Sequence, residues 1–453
     1  GTSPCKTACP AHIAVQGYIR LASQGKYREA LELIKKENPF PAVCGRICPH
    51  GCESECTRGD IDQPIAIDEI KKFIADKELD GSFRFIPEKR HDYSDKRIAV
   101  IGAGPGGLSC AYFLAVEGYS VTVFEKQEKL GGMMTLGIPS FRLEKNVVEA
   151  EIDVLRGLGV EFRTGVEVGK DVTLEELRKE GYKAFYLAIG AQGGRALGIA
   201  GEDAQGVVPG VTFLRDVNLG KDVKLTGKTL VIGGGNVAID VARTALRVGG
   251  ENVTMFCLEG REEMPALAEE IGETLHEGIA IENGWGPKRI LTENGKVTGV
   301  EFRKCTRVFD ENHRFAPQYD DNNTQVVEAE NLLLAIGQSI VWGGLLEGSK
   351  VVLNRDATAQ GDAFTYQTAE PDIFVGGDAF TGPKFAINAI AAGKQGAISI
   401  HRYVQPGQSL TLGRDRREYH AFDKSNIVVE GFDNTPRQEI GHNPQAARSF
   451  RDD

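Results

Sequence analysis

The stretch from Arg97 to Glu125, RIAVIGAGPGGLSCAYFLAVEGYSVTVFE, limits what this chain can fold into more than any other. A short apolar strand, Arg97 to Ile101, runs into Gly102, Ala103, Gly104, Pro105, Gly106 and Gly107; a helical pattern follows, and a second strand, Ser120 to Phe124, ends at Glu125. The order strand, tight turn, helix, strand describes a βαβ unit with parallel strands. Gly102 permits the turn, Gly104 lets a pyrophosphate approach the backbone, and Gly107 lets helix pack on strand. The helix N-terminus then faces the phosphates, and Glu125, at the end of the second strand, suits the hydroxyls of an adenosine ribose. The glycine spacing alone also fits a purely structural turn, so the dinucleotide reading rests on the flanking strand and helix and on the acid.

The device occurs twice. Thr229 to Ile232 leads into Gly233, Gly234, Gly235, Asn236, Val237 and Ala238, again between a strand and a helix, and the next strand, Val253 to Leu258, ends at Glu259. Two such units in one chain fit a flavin and a nicotinamide, each of which needs one. Further buried strands are expected at Ala184 to Ile189, Asn331 to Gly337 and Asp372 to Val375, the last running into Gly376, Gly377 and Asp378 ahead of a long helix from about Phe385 to Tyr403. A carboxylate at a strand end suits the ribityl hydroxyls of a flavin, and a helix N-terminus near Ala386 suits its pyrimidine ring; Asp378 equally fits a helix cap. The loop Leu130 to Met133 carries two glycines that allow backbone to approach a flat ring or serve a plain loop.

Six of the nine cysteines crowd the first part of the chain, at Cys5, Cys9, Cys44, Cys48, Cys52 and Cys56, while Cys110, Cys257 and Cys305 are scattered. Residues 1 to about 78 read as helices: Tyr27, Ala30, Leu31 and Ile34 repeat with helical spacing, Asn38 to Pro41 breaks that helix, and Ile67, Ile70 and Ile74 mark another. Two cysteine groups flanking helices ask for a metal. The Cys-Pro pairs at Cys9 and Cys48 favour iron–sulfur ligation, with structural zinc as the rival. The formal charge of −11, without a basic block, gives no sign of a nucleic-acid surface. No apolar run is long enough to span a bilayer and no signal peptide is evident, so a soluble, cytoplasmic protein is expected.

These motifs, with GIPSFRL, REEMPA, AIGQ and GGDAFTGP, make the chain resemble the small subunit of bacterial glutamate synthase, the amino-terminal half of dihydropyrimidine dehydrogenase and the large subunit of NADH-dependent ferredoxin:NADP oxidoreductase. The resemblance covers nearly the whole chain. It implies an α/β fold with two Rossmann-like dinucleotide-binding domains, for FAD and NAD, preceded by an α-helical iron–sulfur domain. The expected boundaries are 1–94 for the iron–sulfur domain and linker, 95–205 and 336–403 for the split FAD domain, 206–335 for the NAD(P) domain and 404–453 for a surface tail. Carried over by position, Gly102, Gly104, Pro105, Gly106, Gly107, Glu125, Met133, Arg142, Gly377, Asp378, Lys384, Phe385 and Ala386 would meet the flavin. Gly233, Gly234, Gly235, Asn236, Val237, Glu259, Ala335, Ile336 and Gly337 would hold the nicotinamide dinucleotide. Cys9, Cys48, Cys52 and Cys56 would ligate one [4Fe–4S] cluster.

The chain also departs from the family. An upstream C-x2-C pair is missing, and Lys71 stands where two-cluster members have a Gln or Glu ligand; Lys⁺ is a poor iron ligand, which leaves Cys5 and Cys44 as candidates for any second site. Both ends look shorter than in the family, so the chain is expected to be part of a longer polypeptide. Many members place two arginines where this chain has Leu258 and Glu259, which points to NADH over NADPH, with Arg261 nearby as the opposing feature. The expected activity passes electrons between NADH and a protein partner in a larger redox complex. The alternatives are a glutamate synthase-type subunit using NADPH and a redox-sensing or scaffold subunit. Disulfide reduction would need a C-x-x-C pair, and the sequence has none. No catalytic side chain is named, because hydride transfer depends on stacking and orientation.

Overall fold

The computed structural model describes residues 3–414, 423, 425–431, 434–441 and 450. Of the surface tail expected from residue 404 onward, the stretches 415–422, 432–433, 442–449 and 451–453 and residue 424 lie outside the described residues.

Six short helices open the chain: α1 (Pro4–Ala8), α2 (Val15–Ser23), α3 (Tyr27–Lys35), α4 (Pro41–Ile47), α5 (Gly51–Ser54) and α6 (Ile67–Leu79). α3 buries Ala30, Leu31 and Ile34 along one face, the stripe that a helical repeat of apolar residues produces. Pro41 starts α4, a position where its missing N–H costs nothing. The next two N–H groups of α4 are met from outside. Ala42 and Val43 donate to Glu151 Oε1 and Oε2 at 2.7 and 3.0 Å. A buried ion pair, Lys35 Nζ to Glu78 Oε2 at 2.7 Å, ties α3 to α6.

The first sheet follows. β1 (Tyr93–Ile101), α7 (Pro105–Glu117) and β2 (Tyr119–Glu125) form the predicted βαβ unit, and α8 (Met133–Leu136), α9 (Lys145–Gly157), β3 (Glu161–Thr164), α10 (Leu174–Lys179) and β4 (Tyr182–Leu187) extend it. Ile98 to Ile101 are all buried, as befits a central parallel strand covered on both faces. The chain leaves this sheet after β4 and returns with β15 (Ile373–Val375), α14 (Asp378–Thr381) and α15 (Ala386–Val404). The strand order is β15-β4-β1-β2-β3, all parallel.

Between those points lie β5 (Gly193–Gly194), β6 (Val207–Pro209), α11 (Gly210–Asn218), β7 (Lys228–Ile232), α12 (Asn236–Arg247), β8 (Glu251–Cys257), α13 (Ala268–His276), β9 (Ala280–Asn283), β10 (Trp285–Glu293), β11 (Lys296–Phe309), β12 (Phe315–Glu328), β13 (Asn331–Leu334) and β14 (Gln338–Ser339). A second parallel sheet has the order β6-β13-β7-β8-β9. Its two faces bury separate apolar clusters, one around Val231, Ile239 and Met255 and the other around Leu230, Phe256 and Phe302. The latter is shared with an antiparallel sheet, β10-β11-β12, which the sequence reading did not anticipate.

By contacts the chain divides into two compact units. One contains residues 1–135, 145–191 and 340–441, so the amino-terminal helices cluster with the first sheet; the other contains 136–144, 192–339 and 442–453. Among the described residues no helix is long and apolar enough to cross a membrane.

Candidate functional site

In the first unit the glycine turn between β1 and α7 has the geometry its sequence demands. Gly102 has φ +105°, and a Cβ at Gly107 would lie 1.9 Å from Gly102 O, so α7 packs on β1 only without a side chain there. Gly104 caps the helix and Pro105 opens it. The second glycine loop meets the first: a Cβ at Gly132 would lie 2.6 Å from Gly104 Cα, and Gly131 N donates to Ala103 O at 2.8 Å. Met133, the residue after Gly132, begins α8.

Glu125 Oε2 accepts from Ala103 N, and Oε1 from Gln127 N, both at 2.9 Å. Burial raises the pKa of this carboxyl despite both bonds. Each oxygen keeps a lone pair for a further donor, which matches a ribose diol. The far end of the sheet supplies the second carboxylate. Asp378 opens α14, its Oδ1 accepts from Lys384 N at 3.1 Å, and burial pushes it up to about 6. Gly106 faces Ala389, with a Cβ there 3.4 Å from Ala389 O, so the N-terminal turns of α7 and α15 converge. Phe385 caps α15 and Ala386 begins it. A cavity of about 200 Å³ lies here, lined among others by Gly377, Asp378, Lys384, Asn388 and Pro10, the residue after Cys9. The cradle fits a flavin dinucleotide: a helix N-terminus for phosphate, a strand-end acid for ribose, and a second acid beside a cavity.

Arg142 has protein partners of its own. Expected at the flavin, it belongs to the second unit, where its guanidinium donates to Asp240 Oδ1 at 2.6 Å and to Glu270. Burial pushes Glu270 up to about 7, with Arg142 pulling the other way. An arginine bonded to two carboxylates ties segments of its own unit together.

The second unit repeats the turn. Gly233 has φ +141°, Gly235 caps α12 and Asn236 opens it, with Asn236 Oδ1 accepting from Leu267 N at 2.8 Å. Val237 follows in the first turn of α12. Ala335 packs against this loop: a Cβ at Gly233 would lie 2.2 Å from Ala335 O. Ile336 joins the apolar cluster shared with the antiparallel sheet, and Gly337 lies under the Arg195 side chain. Glu259 sits beside the glycines, its Oε2 3.0 Å from where a Gly234 Cβ would be, and burial raises its pKa. Arg261 is exposed.

All six clustered cysteines are free thiols; Cys48 and Cys56 are half-buried and Cys5, Cys9, Cys44 and Cys52 are buried. Cys9 and Cys48 end α1 and α4, Cys52 lies in α5, and α1 packs on α5. Burial pushes Cys48 up to about 11 and Cys52 up to about 12, and among the charges acting on both thiols that of Lys71 is the largest and downward. Cys9 lies within electrostatic reach of both. Thiolates are the donors an iron–sulfur cluster takes; among the described residues no group of three or more His, Cys, Asp or Glu is gathered closely enough to hold a metal ion.

Sequence reasoning missed Asn388, Tyr366 and Thr381 in the cavity wall. Asn388 had a signal, as a lone polar residue in the apolar run Ala386 to Ala392. Glu151 had none, because its partners are more than a hundred positions away in the chain.

Residues 96–393 match the family model described as pyridine nucleotide-disulphide oxidoreductase, and residues 1–82 match dihydropyrimidine dehydrogenase domain II, 4Fe-4S cluster. The chain is 36% identical over 433 residues to the NADP(+)-dependent formate dehydrogenase subunit beta of Moorella thermoacetica, covering 90% of this chain and 60% of that one. It is 33% identical to the glutamate synthase [NADPH] small chain of Escherichia coli, covering 89% of each. The structure of Mycobacterium tuberculosis FprA in complex with NADPH superposes with a TM-score of 0.60 at 18% identity, over 68% of this chain and 84% of that one, a likeness of fold. The glycine turns, the parallel sheets and the amino-terminal cysteine helices thus have one origin: the chain belongs to the pyridine nucleotide-disulphide oxidoreductase family, among the relatives of the glutamate synthase small chain, with an amino-terminal stretch that matches a 4Fe-4S domain, and it spans about 60% of the length of the formate dehydrogenase subunit it resembles.

Proposed function

We propose that the chain carries electrons between NADH and a protein partner by way of FAD and a [4Fe–4S] cluster on Cys9, Cys48, Cys52 and Cys56. In this reading residues 1–94 hold the cluster, 95–205 and 336–403 the flavin, and 206–335 the nicotinamide. The carrying observation is the cavity beside Asp378, whose wall includes Pro10 next to Cys9. A flavin domain whose cavity reaches the residue next to a proposed cluster cysteine suits electron passage between the two groups. FAD supplies the exchange of a hydride for single electrons. The protein's part is to bind and orient. Glu125 would accept the ribose hydroxyls of FAD, the α7 N-terminus would face its phosphates, and Asp378 with the first turn of α15 would fix the ring end.

Glu259 supports NADH. Its carboxylate lies against Gly234, where a 2′-phosphate would meet like charge and a free 2′-hydroxyl would meet an acceptor. NADPH is the competing reading, favoured by the names of the relatives and by the exposed Arg261. The names of those relatives, a subunit beta and a small chain, support a partner chain in a redox complex. Spectra of the anaerobic protein test the whole reading. NADH should bleach the flavin and turn over with an artificial acceptor, and iron and sulfide should be present in cluster ratio. A flavin that NADH leaves oxidised would refute electron transfer, and stoichiometric zinc without sulfide would refute the cluster. Equal efficiency with NADPH would refute the preference.

A further inference from the structure

Helix α15 turns two stripes to its surroundings. Gly393 and Gly396 face inward: a Cβ at Gly393 would lie 2.4 Å from Gly106 O, and one at Gly396 would lie 2.3 Å from Cε2 of Tyr186. Asn388, Ala391 and Ala392 recur at helical spacing, form the other stripe, and line the cavity beside Asp378 and Lys384. Asn388 is out of character there. It is the one polar residue from Ala386 to Ala392, it is half-buried, and its side-chain amide bonds to no described residue. An amide so placed has given up part of its water without a protein partner, which costs free energy unless something in the cavity supplies one. Phe385 adds no side-chain cap to the helix, so the first N–H groups of α15 lack one as well.

In the reading proposed above, the ring end of FAD lies between Asp378 and the first turn of α15, and Asn388 is the third residue of that turn. The pyrimidine edge of an isoalloxazine presents its N3–H beside a carbonyl oxygen, a donor next to an acceptor. A carboxamide is the complement, with a carbonyl oxygen to accept and an N–H to donate in one plane. An ionised carboxylate has no hydrogen to give and an ammonium has no lone pair to accept with. Neither Asp378 nor Lys384 therefore matches both groups, and Asn388 does.

We propose that Asn388 binds the flavin ring by pairing its side-chain amide with the N3–H and a neighbouring carbonyl. The pair anchors one edge of the ring, and hydride transfer depends on such orientation. The proposal rests on the flavin placement given above, and its test separates the two. The full chain and its Asn388→Ala, Asn388→Leu and Asp378→Ala variants are stripped of flavin anaerobically and titrated with FAD and with N3-methyl-FAD, in which the donor of the pair is blocked. Quenching of flavin fluorescence gives the dissociation constants. The parent should favour FAD over the methylated form by about tenfold or more. In both Asn388 variants that preference should shrink to about twofold, with FAD itself bound roughly tenfold more weakly. Asp378→Ala should weaken both flavins alike and keep the preference. A parent that binds the two flavins equally would overturn the proposal, and this arm needs no variant to fold. A preference that survives in both Asn388 variants would overturn it as well. Undiminished affinity in Asp378→Ala would overturn the flavin placement and the proposal with it, a failure that only this variant reports.

Discussion

Glu125 ends, and Glu259 closely follows, the second strand of a βαβ unit, yet their surroundings differ. Glu125 has a backbone N–H on each oxygen, which fixes the carboxylate plane before any ribose arrives. Glu259 lies against Gly234 with Arg261 exposed two residues on, so under the proposed nicotinamide reading a change there should act on the cofactor choice. Glu259→Arg should lower the NADH to NADPH ratio of kcat/KM at least tenfold, about 1.4 kcal/mol of discrimination, read from flavin reduction with each nucleotide. The scattered cysteines offer a control. Cys110, Cys257 and Cys305 are buried free thiols with pKa values raised by burial, unlike the depressed values of reactive thiols. Replacing all three with Ala should leave the flavin reduction rate within about twofold; a larger loss would reveal a redox thiol. At this scale the strand-end acids were legible because strand, turn and acid are contiguous. The ion pairs of Arg142 were not legible because its partners, Asp240 and Glu270, come from distant segments, and nothing local in GIPSFRL signals them.

Helix α4 illustrates what an element borrows from elsewhere. Its first free N–H groups, on Ala42 and Val43, are met by Glu151 of α9. Burial pushes Glu151 up to about 7, against the pull of Lys35 and of both N–H groups. A carboxyl raised from an unfolded value of about 4.3 binds more protons folded than unfolded. Its contribution to stability is therefore fully present below about pH 4.3 and is lost as pH rises toward 7. Glu151→Gln should flatten that decline in a thermal-melt series from pH 5 to 8. It should also lower stability by about 1 to 3 kcal/mol, because an amide nitrogen cannot accept the second N–H. The glycine turn predicts a harsher effect. With its Cβ 1.9 Å from Gly102 O, Gly107→Ala must push α7 off β1, at a cost of about 1 to 3 kcal/mol. The variant should lose its flavin on gel filtration and show a lower urea midpoint. Parallel strands such as β1 were legible as unbroken apolar runs. β11 and β12 were not, because irregular register between Arg303 and Phe309 resets the alternation, and β12 carries the polar run Asp320 to Gln325.

For the molecule as a whole, the repeated glycine turn was the legible part, since each copy is local. The interruption of the first sheet was not visible in local pattern and came from family resemblance alone. β4 pairs with β15, Phe185 beside Ile373, across residues 186–372. α15 then packs along α7, where a Cβ at Gly393 would lie 2.4 Å from Gly106 O. A chain ended after Ser339 lacks β15, Asp378 and α15 and should retain no flavin, which absorbance of the purified fragment would show.

That interruption also has a bearing on how the protein comes into being. A ribosome adding 5–20 residues per second needs about 10 to 40 s to pass from β4 to β15. Throughout that interval the nascent chain displays β4 as an open edge, with backbone donors and acceptors ready to pair with a neighbour. Residues 192–339, the greater part of the second unit, emerge in the meantime and are free to fold first. Flavin capture therefore waits for β15 and α15, and poor flavin supply during expression should be felt as aggregation of chains that have passed β4.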